Sequence, residues 1–354
     1  MRMTWHGLVM GILLAGCGDG AEALGPWRPD VQGGLPVTAE VNARPTTLLA
    51  MGGPVLATTE LVVRGESVLA AVVDGEVLAR VVELDSAQPG ARKTVPGGFG
   101  QHLGLWVGAD RLFELSTVGL FELRQQDGRT EYTPPAWSVP SPIVPVAITS
   151  VSGQAVVADS GGHFFALDPR MGGVRAIASA AGRPLGMLGS AAGDLVIVTG
   201  SGSCEEIGAI QLATLELGST AGSLRDVRKL ARTRCPTGHV AVDATTVYWT
   251  QGDGSVWMVP RAGGTALRLA ADQETPVGIA VDQTYVYWTE MGHYEASGDS
   301  FALRGGAIKR ARKADLTVER ITLEGVAPFA VAVTPTRLVW TSARGGGVFS
   351  MPKD

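Results

Sequence analysis

A pattern that recurs with an offset of 39 residues constrains this chain more than any other feature: Val242-Asp243, a gap and Val247-Tyr248-Trp249-Thr250, then Val281-Asp282, a gap and Val286-Tyr287-Trp288-Thr289. A glycine, Gly238 or Gly278, precedes each first apolar run, and a polar turn precedes each second one. The offset is too short for separate domains and too long for one hairpin. Short apolar runs alternating with turns in a unit of this length fit a four-stranded blade of a β-propeller.

The rest of the chain can be placed on the same grid. From Thr46 onward it is strand-like, with runs at Thr47–Met51, Val55-Leu56, Glu60–Val63, Val68–Val73 and Val77–Leu84. Asp74-Gly75 between two of these runs is a hairpin signal, because both residues tolerate the left-handed backbone of a two-residue turn. Second strands are expected to start near Val68, Leu112, Ala155, Leu195, Val247, Val286 and Leu338, at intervals of 39 to 52 residues. The expected fold is therefore all-β, a seven-bladed propeller, with six blades as the rival if the first is irregular. The last blade has three strands, ending at Val348–Met351, and one spare strand precedes the first blade. Pairing the two would close the ring and leave no open sheet edge. A content of 48 Gly and 20 Pro suits such a chain of tight turns. A net charge of -5, without a dense Lys/Arg cluster, disfavours nucleic acid as a partner.

The first residues have a different character. Arg2 is a small positive start, Leu8–Leu14 is an apolar run too short to span a bilayer, and Leu14-Ala15-Gly16-Cys17 follows. This resembles the lipobox of bacterial lipoproteins, which implies a signal peptide at 1–16, lipid (palmitate among its acyl chains) on Cys17, and residence in the cell envelope. An ordinary secretory signal is the alternative. Gly18, not Asp, follows the cysteine, and in lipoproteins that pattern leans toward the outer membrane, on its periplasmic side or at the cell surface. Residues 17–45, rich in Gly, Pro and charge, read as a flexible tether, and 46–354 as the propeller.

In an exported chain whose Cys17 carries lipid, Cys204 and Cys235 are the remaining cysteines. Taking strands A to D from the channel outward, the B–C turns and the D–A links emerge on one face, and the A–B and C–D turns on the other. Cys204 follows strand B of blade four and Cys235 precedes strand A of blade five, so both fall on one face of neighbouring blades. A disulfide is expected there; a free-thiol or metal role has too few ligands beside it.

Tyr248-Trp249-Thr250-Gln251 and Tyr287-Trp288-Thr289-Glu290, with Val339-Trp340-Thr341-Ser342 as a degenerate third copy, resemble the YWTD repeat of receptor-type propellers. The layout is similar to that of propeller lipoproteins and surface proteins of large-genome bacteria. The resemblance implies a ligand-binding or scaffolding module. None of the copies keeps the Asp of the motif, since Gln251, Glu290 and Ser342 stand there, which puts the motif's inter-strand carboxylate bonding in doubt. Trp249, Trp288 and Trp340 are expected to pack between blades, a ligand platform being the alternative. Tyr248 and Tyr287 should face the other side of their sheets.

Candidate sites lie on the face of the B–C turns. Blade six has an insertion at 291–305 that carries His293, Tyr294, Glu295 and Asp299, the candidate binding loop. His102 and His239 lie at the starts of inner strands two and five; with His293 they could converge on the channel mouth as metal ligands or bases, the plainer reading being loop-ordering or solvent-exposed histidines. Asp243 and Asp282 should satisfy local backbone N–H groups. The basic run Lys309-Arg310-Ala311-Arg312-Lys313 should belong to a charged outer strand. No nucleophile elbow, P-loop, zinc-protease or dinucleotide motif occurs, and no cofactor or metal is expected. The leading expectation is a membrane-tethered extracytoplasmic binding or scaffold module for an envelope or cell-surface protein, peptide or glycan. Its rivals are a propeller enzyme of lyase or lactonase type with its site at the channel mouth, and an architectural subunit.

Overall fold

Strands make up the regular structure of the computed structural model, which describes residues 37–42, 45–50, 61–73, 79–96, 102–108, 111–123, 125–126, 129–130, 137–138, 144–168, 173–179, 182–190, 192–201, 204–217, 222–297, 300–322, 327–342 and 347–353. The signal peptide, Cys17, Trp27, the Val55-Leu56 and Asp74-Gly75 stretches and Asp299 lie outside the described residues.

Seven sheets of four or five strands form the blades. Blade one consists of Leu61–Arg64, Ser67–Val73, Ala79–Asp85 and Gln88–Pro96, and blade two of His102–Val107, Leu112–Ser116, Gly119–Glu122 and Trp137–Ser138. Blade three is Pro145–Val151, Gln154–Asp159, His163–Asp168 and Gly173–Ser179, and blade four is Pro184–Gly189, Asp194–Thr199, Ile207–Leu217 and Gly222–Arg234. Blade five is Pro236–Val242, Thr246–Gln251, Ser255–Pro260 and Leu267–Ala270. Blade six takes Pro276–Val281, Tyr285–Glu290, Ala307–Arg312 and Val318–Thr322, and blade seven Pro328–Val333, Arg337–Ser342 and Gly347–Pro352.

Two N-terminal strands complete the last two blades. Thr46–Ala50 pairs antiparallel with Gly347–Pro352, Thr47 opposite Phe349, and so supplies the fourth strand of blade seven. Val37–Asn42, in a stretch expected to be tether, is instead a strand that pairs in parallel with Val318–Thr322, and it is the fifth, outermost strand of blade six. The basic run Lys309–Lys313 therefore falls largely on the third strand of five, with two strands outside it, and not on an outer strand. Its cations are paired: Lys309 with Glu290 at 3.0 Å, Arg310 with Glu319 at 2.7 Å, Arg312 with Asp315 at 4.0 Å and Lys313 with Asp243 at 2.7 Å.

The apolar cores are the layers between neighbouring blades. Side chains alternate along each second strand, so Trp249 points into the layer shared with blade four and Tyr248 into the layer shared with blade six. Trp288 then joins the Tyr248 layer, Tyr287 the next one with Trp340, and Val339 and Val348 of blade seven meet Leu48, Val68 and Val82 in the layer that leads back to blade one. Each of the seven boundaries has such a cluster, whereas an open row of seven blades would have one fewer. Trp249, Trp288 and Trp340 are fully buried there, and Trp106 and Trp257 nearly so. Near the axis, glycine allows the inner strands to touch: a Cβ on Gly186 would lie 2.0 Å from the Gly238 carbonyl oxygen, and one on Gly278 2.5 Å from that of Phe329.

On the face of the A–B and C–D turns, called the lower face here, a charge recurs at the same place in consecutive blades. Asp243 Oδ1 accepts the N–H groups of Thr245 and Thr246, and its Oδ2 accepts the Tyr248 hydroxyl at 3.0 Å. Asp282 does the same for Thr284, Tyr285 and the Tyr287 hydroxyl. In blades five to seven the residue after the third strand reaches back one blade to an acid at the A–B turn: Lys313 to Asp243, Lys353 to Asp282, and Arg261 to Asp194 at the start of the second strand of blade four. At the seam hydroxyls take the place of the cation: Thr334 and Thr336 of blade seven donate to Glu66 of blade one at 2.8 and 3.1 Å.

Candidate functional site

The opposite, upper face carries the B–C turns and D–A links. Cys204 and Cys235 form a disulfide across the boundary of blades four and five. Arg234 Nε donates to the Cys204 carbonyl at 3.2 Å, so the bridge is also tied to the outer strand that leads into it. Below it lies a buried polar network. Gln251 Oε1 accepts from the Thr233 hydroxyl at 2.8 Å and from the Arg234 N–H at 2.6 Å, while its Nε2 donates to the Ser255 hydroxyl. The Ser255 hydroxyl oxygen in turn accepts the Trp257 indole N–H at 2.7 Å. Burial raises the Asp253 carboxyl above its ordinary range despite its bonds to Ser255.

Glu290, at the matching position of blade six, accepts the Glu274 N–H at 3.2 Å and the Lys309 ammonium at 3.0 Å. Bonding at this position thus survives without the Asp of the motif. A Gln or Glu spans the gap to the backbone just before its own first strand, which an aligned inter-strand contact through a shorter acid would not have suggested.

The insertion of blade six forms a hairpin, His293–Ser297 paired with Ser300–Arg304. Tyr294 and Glu295 lie in its first strand, and Glu295 is exposed. Its base is held by Met291, buried with Val277 and Ala327, and by His293 Nδ1, 3.5 Å from Glu274 Oε2.

The three histidines singled out from the sequence are engaged separately. His102 is buried and its Nδ1 lies 2.9 Å from Glu114 Oε1 in the adjacent strand. His239 meets the ring of Phe329 edge-on, with centroids 6.4 Å apart, and desolvation holds its pKa down to about 4. His293 is exposed on the hairpin with Glu274. Among the described residues no three His, Cys, Asp or Glu side chains form a group that could hold a metal ion.

Two hollows stand out. One, of about 900 Å3, opens on the lower face over the turns of blades five to seven; it is floored by Val242, Val281 and Val333 and rimmed by the Asp243–Lys313 and Asp282–Lys353 pairs. Its charges already satisfy one another. The other, of about 780 Å3, lies on the upper face at blade three and contains His163 and Arg183. Sequence reasoning passed over both residues, although Asp159-Ser160-Gly161-Gly162-His163, an Asp before two glycines and a His, is a local signal for an Asp-held imidazole.

These features define a closed, seven-bladed β-propeller whose lower face carries the ion pairs of blades four to seven and whose upper face carries the disulfide and the blade-six hairpin. No protein-family model matches the sequence, and no curated protein matches it. Solved structures do resemble it in fold. The Pan2 WD40 domain of Neurospora crassa superposes with a TM-score of 0.61 at 10% identity, over 89% of this chain and 98% of that one. YCF48 bound to D1 peptide gives 0.59 at 12% identity, over 91% and 98%. The computationally designed Ika8 protein gives 0.53 at 13%, over 86% and 99%.

Proposed function

We propose that the chain is a lipid-anchored, extracytoplasmic binding or scaffold module of the bacterial envelope, with Cys17 lipidated in the outer membrane. Its upper face takes a protein, peptide or glycan partner. The observation that carries this reading is the concentration of the disulfide, the Gln251 network and the projecting hairpin on one face of blades four to six. Rigid blades with varied loops on one side are the usual arrangement for recognition. The first described strand supports it: Val37 lies opposite Val318, which follows the C–D turn, so this strand begins at the lower face. An anchor there leaves the hairpin turned away from the lipid. A peptide-bound propeller, YCF48, among the solved structures of like fold agrees with a peptide or protein partner.

The test is a pull-down in mild detergent with the intact protein and with a form in which 291–305 is replaced by a short turn. A partner captured only by the intact protein supports the hairpin assignment, and an identical partner list overturns it. Metabolic labelling with an alkynyl palmitate, absent in Cys17→Ser, tests the anchor separately.

A further inference from the structure

We infer that the upper end of blade three is a binding site for the carboxy-terminal residue of a peptide: an apolar side chain flanked by its own N–H and a free carboxylate. The cavity of about 780 Å3 has the size of a ligand site, with an apolar wall that includes Val144, Phe165 and Ile177 and polar groups that include His163 and Arg183. It lies outside the hairpin and the disulfide, so it does not depend on the role proposed for them.

The polar pair defines the ligand. Asp159 is buried, and its Oδ1 accepts the N–H groups of Gly161 at 2.9 Å and His163 at 2.8 Å. Its Oδ2 lies 2.9 Å from His163 Nδ1. A carboxylate only accepts, so Nδ1 donates to it, and in the neutral imidazole Nε2 is then an acceptor, on a side chain 57% exposed. In that form His163, its ring held by Asp159, offers an acceptor at a set place. Gly161 leaves room for this arrangement: a Cβ there would come within 3.0 Å of the imidazole Cε1 and Nδ1.

Arg183 is exposed in the link from blade three to blade four, and its guanidinium has no partner among the described residues. It is a free cation beside an apolar wall that includes Val144, 56% exposed. A guanidinium calls for a carboxylate, an acceptor nitrogen for an N–H, and the wall for a hydrocarbon side chain. The terminal residue of a peptide has all three on neighbouring atoms. A free fatty or aryl acid lacks the N–H, and an internal peptide segment lacks the carboxylate.

Fluorescence anisotropy or calorimetry with acetyl-Gly-Gly-Leu, its C-terminal amide and 4-methylpentanoate tests the site on the full chain. The free-acid peptide is expected to bind about tenfold or more tighter than the amide and than 4-methylpentanoate. Arg183→Gln, at an exposed and unpartnered position, should retain the wild-type melting temperature and abolish the difference between acid and amide. Gly161→Ala should weaken the peptide and leave 4-methylpentanoate unchanged. Equal binding of acid and amide, an unchanged acid-to-amide ratio in Arg183→Gln, or no saturable binding of any probe overturns the inference. Replacing the hairpin at 291–305 should leave peptide binding intact, which separates failure of this site from failure of the hairpin as a partner surface.

Discussion

Lys313, the residue after the third strand of blade six, lies 2.7 Å from the Asp243 carboxylate of blade five, and so fastens two blades that share no backbone hydrogen-bond ladder. Lys353 repeats the contact to Asp282 at 3.1 Å one boundary later. Both carboxylates also cap their own turns, so each joins a local bend to a distant strand.

This arrangement makes the ring acid-labile in a defined window. Burial pushes the Asp243 carboxyl up, but Lys313 and the N–H groups of Thr245 and Thr246 outweigh it and hold the pKa down to about 2. A carboxyl depressed in the folded state contributes fully above its unfolded value, about 3.9, and loses that contribution as pH falls toward 2. With screening at a partly open turn allowed for, the loss is about 1 kcal/mol. Thermal unfolding of Asp243→Asn and wild type should therefore converge between pH 4 and pH 2 and stay apart at pH 6.

His239 acts at milder acidity. Its folded pKa of about 4 lies below the ordinary value, so the unfolded chain binds the proton more readily, and stability falls as pH drops from about 6.5 to about 4. In His239→Phe this part of the pH dependence should be missing from the melting curve, and an NMR titration of the His239 ring should show no protonation above pH 5.

Reduction or Cys204→Ser/Cys235→Ser should cost about 3 kcal/mol in denaturant unfolding, from the freed loop between residues 31 apart in sequence. Hydrogen exchange should rise most at Arg234 and Thr233, which lean on Gln251 beneath the bridge.

The buried tryptophans are not equivalent. The Trp288 indole N–H donates to Gln273 Oε1 at 3.0 Å, while the Trp249 and Trp340 indoles have no hydrogen-bond partner among the described residues. Replacement by Phe leaves a similar void at 249 and 288 but removes a hydrogen bond only at 288. Trp288→Phe should be more destabilising than Trp249→Phe by about 1 kcal/mol in urea unfolding.

Glycines divide by surroundings. Gly186→Ala puts a methyl 2.0 Å from the Gly238 carbonyl and should cost more than about 3 kcal/mol or prevent folding. Gly65, at φ +61° with nothing within 4 Å, should cost about 1 kcal/mol as Ala, the strain of its backbone alone. Expression level and melting temperature distinguish the two.

The blades could be read from the sequence because each second strand begins within one residue of its expected marker, from Ser67 against Val68 to Arg337 against Leu338. Apolar periodicity reports a sheet that packs on both faces, and these strands do. Val37–Asn42 was not legible: Val37, Ala39 and Val41 alternate, but an edge strand with one partner has too short and too polar a pattern to stand out from its Gly- and Pro-rich surroundings. The histidines are a different case. A strand map puts His102, His239 and His293 on one face but does not give their neighbours, which are Glu114, Phe329 and Glu274. His163 was missed because its partner, Asp159, ends the preceding strand and the two are joined by Ser160-Gly161-Gly162, a stretch that reads as a plain turn.

The two N-terminal strands have a consequence for synthesis. Val37–Asn42 and Thr46–Ala50 are translated before any blade exists, yet their partners, Val318–Thr322 and Gly347–Pro352, belong to the last two. Until the last two blades have been made, neither segment has its partner strand. A chain cut short before residue 318 would therefore keep two unpaired strands and an incomplete ring, with open sheet edges that invite aggregation.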